Sequence, residues 1–428
     1  MIMAGAAGVV FVAADAQPVT VDWNDVHQQI DGFGASSADF DKPLTPAQAD
    51  FFFTRNGIGL SILRTQIIPD TATCNAEFRK GACSNSNGQI LNGELGTARL
   101  AVARGATIFS SPWSPPGAFK SNGSFKNGGT LLPSHYADWA AEVASYVSMM
   151  AKTGVPIYAV SVQNEPDLST DYGSCKYTGN EMHAFVPYLR AALDSAGLHA
   201  TKIMIAEQAH WEIDLTIPSM TDPRVAPEIG IVAAHSYNST PRAYSTGNAR
   251  LWQTEDSSQS PTYDGSMDDG MSWALKIHGY LTDAGINAWI WWFLTDMPHQ
   301  GQGMDNAALT DFHGNIPKRT YVTGQWSRFV GRGWSRIGTG ESGTLKVTAF
   351  KDSKTYDFTI VAINPTHKSV DQTFALSGFS ADAVTPWITS SRLSLKPQQP
   401  VQVNGTSFSY KLPPLSITTF SGAATKNR

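Results

Sequence analysis

Two glutamates at the ends of short apolar runs could act together as a pair of carboxyl groups. Glu165 belongs to residues 163–167 (QNEPD), which close the apolar run 156–163, and Glu255 ends residues 250–255 (RLWQTE). Cleavage of a glycosidic bond needs two carboxyl groups, one that attacks or stabilises the anomeric carbon and one that protonates the departing oxygen. The two groups must lie in different environments, because one has to be protonated while the other is ionised.

The residues beside Glu165 fit this chemistry. Asn164 carries an amide that can hydrogen-bond the 2-hydroxyl of a sugar, a contact that strengthens in the transition state. Pro166 disfavours the helical conformation at the preceding residue, so we predict an extended backbone at Glu165. A lone Asn-Glu-Pro sequence also occurs in ordinary loops, so this motif indicates catalysis only together with the other residues.

Further side chains suited to holding a sugar stand at the ends of other apolar runs. They are Arg64, Trp113, His235, Tyr237 and Trp292. Aromatic rings can stack on the flat faces of sugar rings. Because side chains alternate along a strand, one of Trp291 and Trp292 should face the site and the other the surrounding helices. Taken singly, each residue also has a structural alternative, such as an ion pair for Arg64 or a core position for His235.

Glu207, which ends residues 203–207 (IMIAE), is the strongest rival carboxylate. Two opposed acids suffice for cleavage of a glycosidic bond. Because Glu165 and Glu255 already supply that pair, we assign Glu207 a structural or supporting role.

The apolar runs that carry these residues predict the architecture. Eight of them recur, at residues 30–36, 58–64, 106–111, 156–163, 203–207, 231–235, 250–255 and 288–294. Near-continuous apolar strands separated by helical stretches indicate a parallel sheet buried on both faces. Eight such strands predict an α/β fold, a (β/α)8 barrel, in which the carboxyl ends of the strands meet at one mouth. Residues 134–154 and 270–284 are predicted helices, and residues 75–96 are predicted to form a long loop or hairpin.

A second, all-β domain is predicted from the alternating apolar runs of residues 344–420, and residues 19–23 read as a strand that could join it. Trp334 and Trp387 in this region could bind polysaccharide or, as the plainer alternative, pack against the barrel. We therefore divide the chain into a signal-peptide remnant (1–16), an N-terminal strand that joins the side domain (17–29), the barrel (30–325), the side β-sandwich domain (326–421) and a flexible tail (422–428).

Composition excludes several classes of protein. The chain of 428 residues has 31 basic and 36 acidic residues, a net charge of −5 that offers no field for nucleic acid. Charged residues make up only 16% and aromatic residues 11%, the opposite of a disordered chain. No stretch reaches the length of about 18 apolar residues that a membrane span needs.

The N-terminal residues and the cysteines bear on the compartment. Residues 4–14 are apolar and small and precede an Ala-Asp-Ala sequence, which is typical of a secretory signal, although an ordinary flexible terminus is the alternative. Cys74 and Cys83 could close a small loop in an oxidising compartment, Cys175 could be free or pair with one of them, or all three could be unpaired. Their spacing matches no zinc motif. Gly338, Gly340 and Gly343 match a dinucleotide-binding pattern by spacing, but they lie in the predicted β region with no helix after them, so we interpret them as a turn and expect no cofactor and no metal.

Several motifs together resemble glycoside hydrolase family 30, within clan A. They are DGFG at 31–34, SSPWSPPGAFKSNG at 110–123, SVQNEPD at 161–167, HSY at 235–237, WQTED at 252–256 and AWIWWF at 288–293. The resemblance covers nearly the whole chain after residue 18. It implies a (β/α)8 barrel with a side β domain built from both chain ends, in agreement with the strand pattern.

The resemblance also implies roles for individual residues. Glu165 matches the acid/base and Glu255 the nucleophile of a retaining mechanism, in which the two carboxyl groups lie about 5–5.5 Å apart. The positions that shape the subsite of the attacked sugar are matched by Arg64, Trp113, Asn164, Tyr237 and Trp292.

The sequence of residues 115–123 (PPGAFKSNG) looks most like the xylan-active branch of the family. Glucuronate-dependent xylanases of that branch use an arginine in the loop after the eighth strand, whereas residues 295–318 contain none, so we do not expect strict dependence on glucuronate. The alternatives are a β-1,6-galactanase, a β-1,6-glucanase or an inactive carbohydrate-binding protein. We expect a secreted monomer whose partner is a polysaccharide or oligosaccharide.

Overall fold

The computed structural model describes residues 17–67, 86–260, 262–296, 306–311, 314–341 and 343–425, with the backbone alone for residues 86–91. Among these residues, no helix is both long and apolar enough to cross a membrane. The predicted signal segment and the cysteines Cys74 and Cys83 lie outside the described residues. Cys175 is described, and its thiol is buried and unpaired with another cysteine.

After β1 (Val19–Gln29), which belongs to a second sheet, eight parallel strands close into a barrel. They are β2 (Gly32–Ser36), β3 (Ile62–Ile67), β4 (Thr107–Pro112), β5 (Ile157–Ser161), β6 (Lys202–Gln208), β7 (Ile229–Ala234), β8 (Arg250–Gln253) and β9 (Ala288–Thr295). The sheet is closed because β9 pairs with both β8 and β2. The predicted (β/α)8 barrel is therefore confirmed. A short strand, β10 (Ala308–Thr310), adds to β9 and was not predicted.

The barrel interior is filled by alternate side chains of these strands. Phe109, Met204, Trp252 and Ile290 are among the fully buried residues of one apolar cluster inside the barrel. The Trp252 indole Nε1 donates a hydrogen bond to Asp31 at 2.8 Å near the amino ends of the strands. The interior is thus a packed core, and the carboxyl ends of the strands remain as the place for a site.

Helices surround the barrel. They are α1 (Pro46–Phe53), α2 (Ser86–Val102), α3 (Tyr136–Lys152), α4 (Gly179–Ser195), α5 (Ile217–Thr221), α6 (Met267–Gly279) and α7 (Lys318–Ser327), with 3-10 turns at Gly117–Phe119, Pro133–His135, Asp214–Thr216 and Ala226–Glu228 and a π-helical turn at Tyr280–Ala284. Thr45 and Thr178 begin α1 and α4 with capping boxes that use Gln48 and Glu181.

The prediction of a loop or hairpin over residues 75–96 was wrong for its second half, which is helical from Ser86 in α2. Glycines hid the helix by interrupting its apolar pattern. A Cβ at Gly93 would lie 2.0 Å from the carbonyl oxygen of Phe40, so this position needs glycine for close packing. The predicted helix from Ser134 was nearly right, with a 3-10 turn at Pro133–His135 leading into α3.

The second sheet is formed by β1 and by ten strands that follow the barrel. They are β11 (Ser335–Thr339), β12 (Lys346–Lys351), β13 (Asp357–Asn364), β14 (Val370–Ser377), β15 (Ser380–Ala381), β16 (Ala383–Thr389), β17 (Lys396–Pro397), β18 (Val401–Gln402), β19 (Ser407–Leu412) and β20 (Ser416–Thr425). β1 lies between β11, antiparallel, and β14, parallel. Segments before and after the barrel thus build one domain, as predicted.

This sheet curls so that its two halves face each other. The Phe420 ring of β20 contacts Phe374 of β14 at 5.2 Å and Phe408 of β19 at 5.1 Å, although these strands are far apart in the order of the sheet. The predicted side β domain is confirmed. Its strands β11, β15, β17 and β19 were not predicted. β15 and β17 are only two residues long, β11 buries few apolar side chains, and β19 alternates them with serine, tyrosine and lysine.

Candidate active site

Glu165 and Glu255 face each other at the carboxyl ends of the barrel strands. Glu165 follows β5 and Glu255 follows β8, and only 7% and 5% of these residues are exposed. One carboxylate oxygen of each and one ring nitrogen of His235 all lie within 4.8 Å of one another. The fold therefore brings the two predicted carboxyl groups, distant in sequence, into one buried centre.

The guanidinium of Arg64, from the middle of β3, connects the groups of this centre. It forms an ion pair with Glu255, donates to Asn164 Oδ1 at 2.5 Å, and contacts Glu207 Oε1 at 3.0 Å. Arg64 is fully buried, which disfavours its charge, but Glu207 and Glu255 outweigh burial and raise the pKa of Arg64. The site consequently holds a permanent positive charge beside its carboxylates.

Two tryptophan rings flank Arg64. The Arg64 guanidinium carbon lies 4.8 Å from the Trp113 ring centroid and 5.6 Å from that of Trp292, and the two rings are 5.8 Å apart. Trp291 points the other way, where its indole Nε1 donates to the carbonyl of Ala307 at 2.9 Å. The alternation expected for the adjacent tryptophans is present, with Trp292 on the side of the site.

His235 lies among three carboxylates. Its Nδ1 is 3.1 Å from Glu165 Oε1, and its Nε2 is 3.7 Å from Glu255 Oε2 and 3.9 Å from Glu207 Oε1. Full burial disfavours the imidazolium, but the surrounding carboxylates, Glu255 foremost, outweigh it and raise the pKa of His235 to about 10. His235 is therefore an imidazolium near neutral pH, rather than the neutral core histidine of the structural alternative.

The two catalytic candidates differ in their surroundings. Burial favours the neutral form of Glu165, but hydrogen bonding and charge from His235 outweigh it and lower the pKa of Glu165. Burial, together with the charge of Glu165, raises the pKa of Glu255 against the opposing effects of His235 and Arg64. Tyr237 Oη donates to Glu255 Oε1 at 2.9 Å, so both oxygens of Glu255 have partners. In this substrate-free centre, a proton therefore binds to His235 in preference to Glu165.

Glu207 lies beneath Arg64 and is fully buried. It sits in an irregularity of the pairing between β6 and β7, and its φ of 55° follows a φ of 69° at Ala206. Non-glycine residues in the left-handed region are costly, and such bulges cluster near active sites. The carboxylate accepts a hydrogen bond from Ser111 at 3.0 Å and, outweighing burial, Arg64 lowers the pKa of Glu207.

The predicted extended backbone at Glu165 was wrong, because its φ is 46°. Three backbone hydrogen bonds set the local turn: the Asn164 N–H donates to Pro112 O at 2.9 Å, the Glu165 N–H to Glu207 O at 3.0 Å, and the Leu168 N–H to Glu165 O at 3.0 Å. The first two are tertiary contacts, and they outweigh the preference that Pro166 imposes. A left-handed residue of this kind costs about 1–3 kcal/mol.

Two groups at this site were missed from the sequence. The Tyr172 hydroxyl donates to Glu165 Oε2 at 3.0 Å, and 46% of this residue is exposed. Its position in a polar loop gave no signal. Asp256 forms a buried ion pair with Lys276 and accepts from Ser236 Oγ, which braces the segment that carries Glu255. Asp256 was visible beside Glu255, but its partners come from elsewhere in the chain.

A metal ion could geometrically be held by Glu165, His235 and Glu255. Carboxylates and imidazole are common ligands of divalent transition metals. However, Glu255 Oε2 already accepts from Arg64, and an ion there would face a fixed guanidinium charge. The donor set is therefore better matched to proton transfer between the three residues.

Known proteins resemble the chain over nearly its whole length. Glucuronoxylanase XynC of Bacillus subtilis (strain 168) is 30% identical over 426 residues, which cover 95% of this chain and 92% of the relative. The structure of a glycoside hydrolase family 30 subfamily 8 xylanase, Xyn30A from Clostridium acetobutylicum, is 30% identical with a TM-score of 0.83, covering 95% of this chain and 100% of that chain. A GH30 endoxylanase from Clostridium papyrosolvens C71 is 28% identical with a TM-score of 0.77, with coverage of 95% and 100%.

No family model matches the chain. The identity and coverage of these relatives nevertheless show the family, and the closed barrel with its side β domain agrees with it. The chain is a glycoside hydrolase and belongs to glycoside hydrolase family 30.

Proposed function

We propose that this protein is a secreted retaining hydrolase of β-1,4-xylan, of the xylanase-like branch of the family in clan A. The observation that carries the mechanism is the approach of carboxylate oxygens of Glu165 and Glu255 to within 4.8 Å. Retaining enzymes hold the two carboxyl groups about 5–5.5 Å apart, whereas inverting enzymes leave about 6.5–9.5 Å for a water molecule. The narrow gap supports direct attack by a carboxylate.

In the first step, Glu255 attacks the anomeric carbon and forms a glycosyl ester while the glycosidic bond breaks. Glu165 gives a proton to the departing oxygen. In the second step, Glu165 takes a proton from water, the water oxygen bonds to the anomeric carbon, and Glu255 leaves as a carboxylate. Arg64 and Tyr237 hold the two oxygens of Glu255, which orients the nucleophile for attack.

Glu165 must be protonated when the glycosidic bond breaks. His235 holds a proton 3.1 Å from Glu165 Oε1, so it can return that proton to the carboxyl group once substrate fills the site. Trp113 and Trp292 offer aromatic faces next to Arg64 for the attacked sugar, and Asn164 can reach its 2-hydroxyl. No metal or organic cofactor takes part in this scheme.

Xylan is proposed as the substrate on the strength of the relatives, which are a glucuronoxylanase and two xylanases. The absence of arginine from residues 295–318 supports cleavage without an obligatory glucuronate branch. Secretion is proposed from the apolar residues 4–14 and fits a polymer substrate outside the cell.

A substrate panel tests the proposal. The purified chain is incubated with neutral xylan, glucuronoxylan, β-1,6-galactan and β-1,6-glucan, and the products are separated by size, with Glu255→Gln as the inactive control. We expect xylo-oligosaccharides from both xylans. If only a β-1,6-linked polymer released products, the substrate would be a galactan or glucan and not xylan. If no polymer were hydrolysed, the result would favour a binding protein. The anomer first formed, read by proton NMR, should be β; an α product would refute retention.

A further inference from the structure

A second concave surface lies at the opposite end of the barrel from Glu165 and Glu255. This cavity of about 390 Å³ is lined by Arg55, Arg328, Phe329, Trp334 and Trp387, together with parts of β13 and β20. Arg55 precedes β3 and Arg328 follows α7, which places the cavity at the amino ends of the barrel strands, where the barrel meets the side domain. Its volume falls within the usual range of ligand pockets, about 300–1,000 Å³.

The guanidinium of Arg328 is held in a fixed plane. It stacks over the Trp387 ring at 4.4 Å and lies 5.7 Å from the Phe329 ring centroid, and its Nη1 donates to the carbonyl of Gly57 at 3.4 Å. Stacking on an aromatic face orients a guanidinium while leaving its N–H edge available. A planar fork of donors held in this way is suited to a carboxylate, which it can bind through two parallel hydrogen bonds.

Two arginines and one aspartate line the cavity, so its net charge is positive. Neither Arg55 nor Arg328 forms an ion pair with any carboxylate that the structure describes. Burial, and then the neighbouring charge of Arg55, lower the pKa of Arg328. Asp357 also lines the cavity, but its carboxylate accepts from Thr355 Oγ1 at 2.8 Å and makes no ion pair with either arginine. Two like charges near each other in an aromatic cleft favour the binding of an anion.

We propose that this cavity is a secondary binding site for the uronate groups of acidic xylan. The inference rests on the proposed function for the identity of the polymer, and it deepens that function by adding a second point of attachment. A uronic acid combines a carboxylate for Arg55 and Arg328 with a sugar ring for the apolar walls. Residues 295–318, which follow the last barrel strand in the sequence, contain no arginine, so recognition of the acidic branch is assigned to this cavity.

Affinity electrophoresis through gels that contain glucuronoxylan tests this site. The Glu255→Gln background prevents digestion of the gel polymer, and parallel gels contain the same glucuronoxylan after chemical reduction of its carboxyl groups. We expect retardation by the acidic polymer to exceed that by the reduced polymer. The double variant Arg55→Gln/Arg328→Gln should raise the dissociation constant for the acidic polymer about tenfold, as loss of hydrogen bonds between charged groups predicts.

Arg224→Gln is the matched control for charge, because Arg224 is exposed and pairs with Asp222 at 2.7 Å away from this cavity. It should leave retardation unchanged. Equal retardation of the double variant and its parent would overturn the site, as would equal loss in the control. Arg328→Lys serves as a second variant in case the double variant unfolds: it keeps the charge but loses the planar fork, and undiminished binding would also count against the site. If the protein hydrolysed no polymer but was still retarded in an arginine-dependent way, the proposed function would be refuted and the binding site would stand.

Discussion

The backbone amide of Glu165 donates a hydrogen bond to the carbonyl oxygen of Glu207 at 3.0 Å. This contact joins the ends of β5 and β6, and the side chain of Glu207 then contacts Arg64, which in turn holds Glu255. Glu207 thus touches the acid/base segment through its backbone and the nucleophile through one intermediary. A fully buried carboxylate is in this way connected to both catalytic candidates.

Glu207→Gln should impair activity without touching substrate. The amide keeps the shape of the side chain but removes the charge opposite Arg64 and His235, and the resulting misplacement of Glu255 should lower kcat/KM about 100-fold. Loss of one partner from a buried ion pair should also lower the free energy of unfolding by about 3–5 kcal/mol. Glu212→Gln, at an exposed carboxylate, is the control for both kinetics and thermal denaturation. If folded Glu207→Gln kept the kcat/KM of the parent, Glu207 would have no role in positioning the catalytic residues.

Much of the fold and most residues of the centre were predictable because they depend on local pattern. Apolar runs identified all eight barrel strands, and the convergence of strand ends then brought together residues as distant as Arg64 and Glu255. Contacts between distant segments were not predictable. The turn at Glu165, the bracing of Asp256 by Lys276, and the approach of Tyr172 to Glu165 are decided by tertiary packing, which overrides local preferences such as that of the residue before proline.

His235→Asn should change how stability depends on pH. The pKa of His235 is raised to about 10 in the folded protein, above its value of 6.5 in an unfolded chain. Its contribution to stability is therefore full below about pH 6.5 and is lost as the pH rises through about 10. The free energy of unfolding, measured with urea at pH 6, 8 and 10, should decline less with rising pH in the variant than in the parent.

The control for this experiment is His199→Asn, because His199 is a surface residue with 73% of its side chain exposed. Its unfolding free energy should follow that of the parent across the same pH values. If the free energy of unfolding declined equally with pH in the parent and both variants, the charge of His235 would not contribute to stability.

Glu165→Gln and Glu255→Gln should separate the two catalytic roles. Without Glu165, cleavage of natural substrate should fall about 10²–10⁴-fold, the usual contribution of a general acid. Aryl glycosides with acidic leaving groups should still react to form the ester, because they need no proton. Without Glu255, both substrates should be inert. Turnover of aryl glycosides by Glu255→Gln would show that Glu255 is not the nucleophile. Circular dichroism of both variants checks that they fold.

Tyr172→Phe should shift the pH dependence of kcat/KM. The Tyr172 hydroxyl donates to Glu165 and, after the opposing effect of burial and the larger effect of His235, helps to lower the pKa of that carboxyl. Its loss should raise the pKa of Glu165, so the alkaline limb of the profile moves to higher pH, and kcat/KM at the optimum should fall about fivefold, as for one lost hydrogen bond. Tyr188→Phe is the matched control, since Tyr188 is 47% exposed on α4. An alkaline limb that stays in place, or moves equally in Tyr188→Phe, would mean that Tyr172 does not tune Glu165.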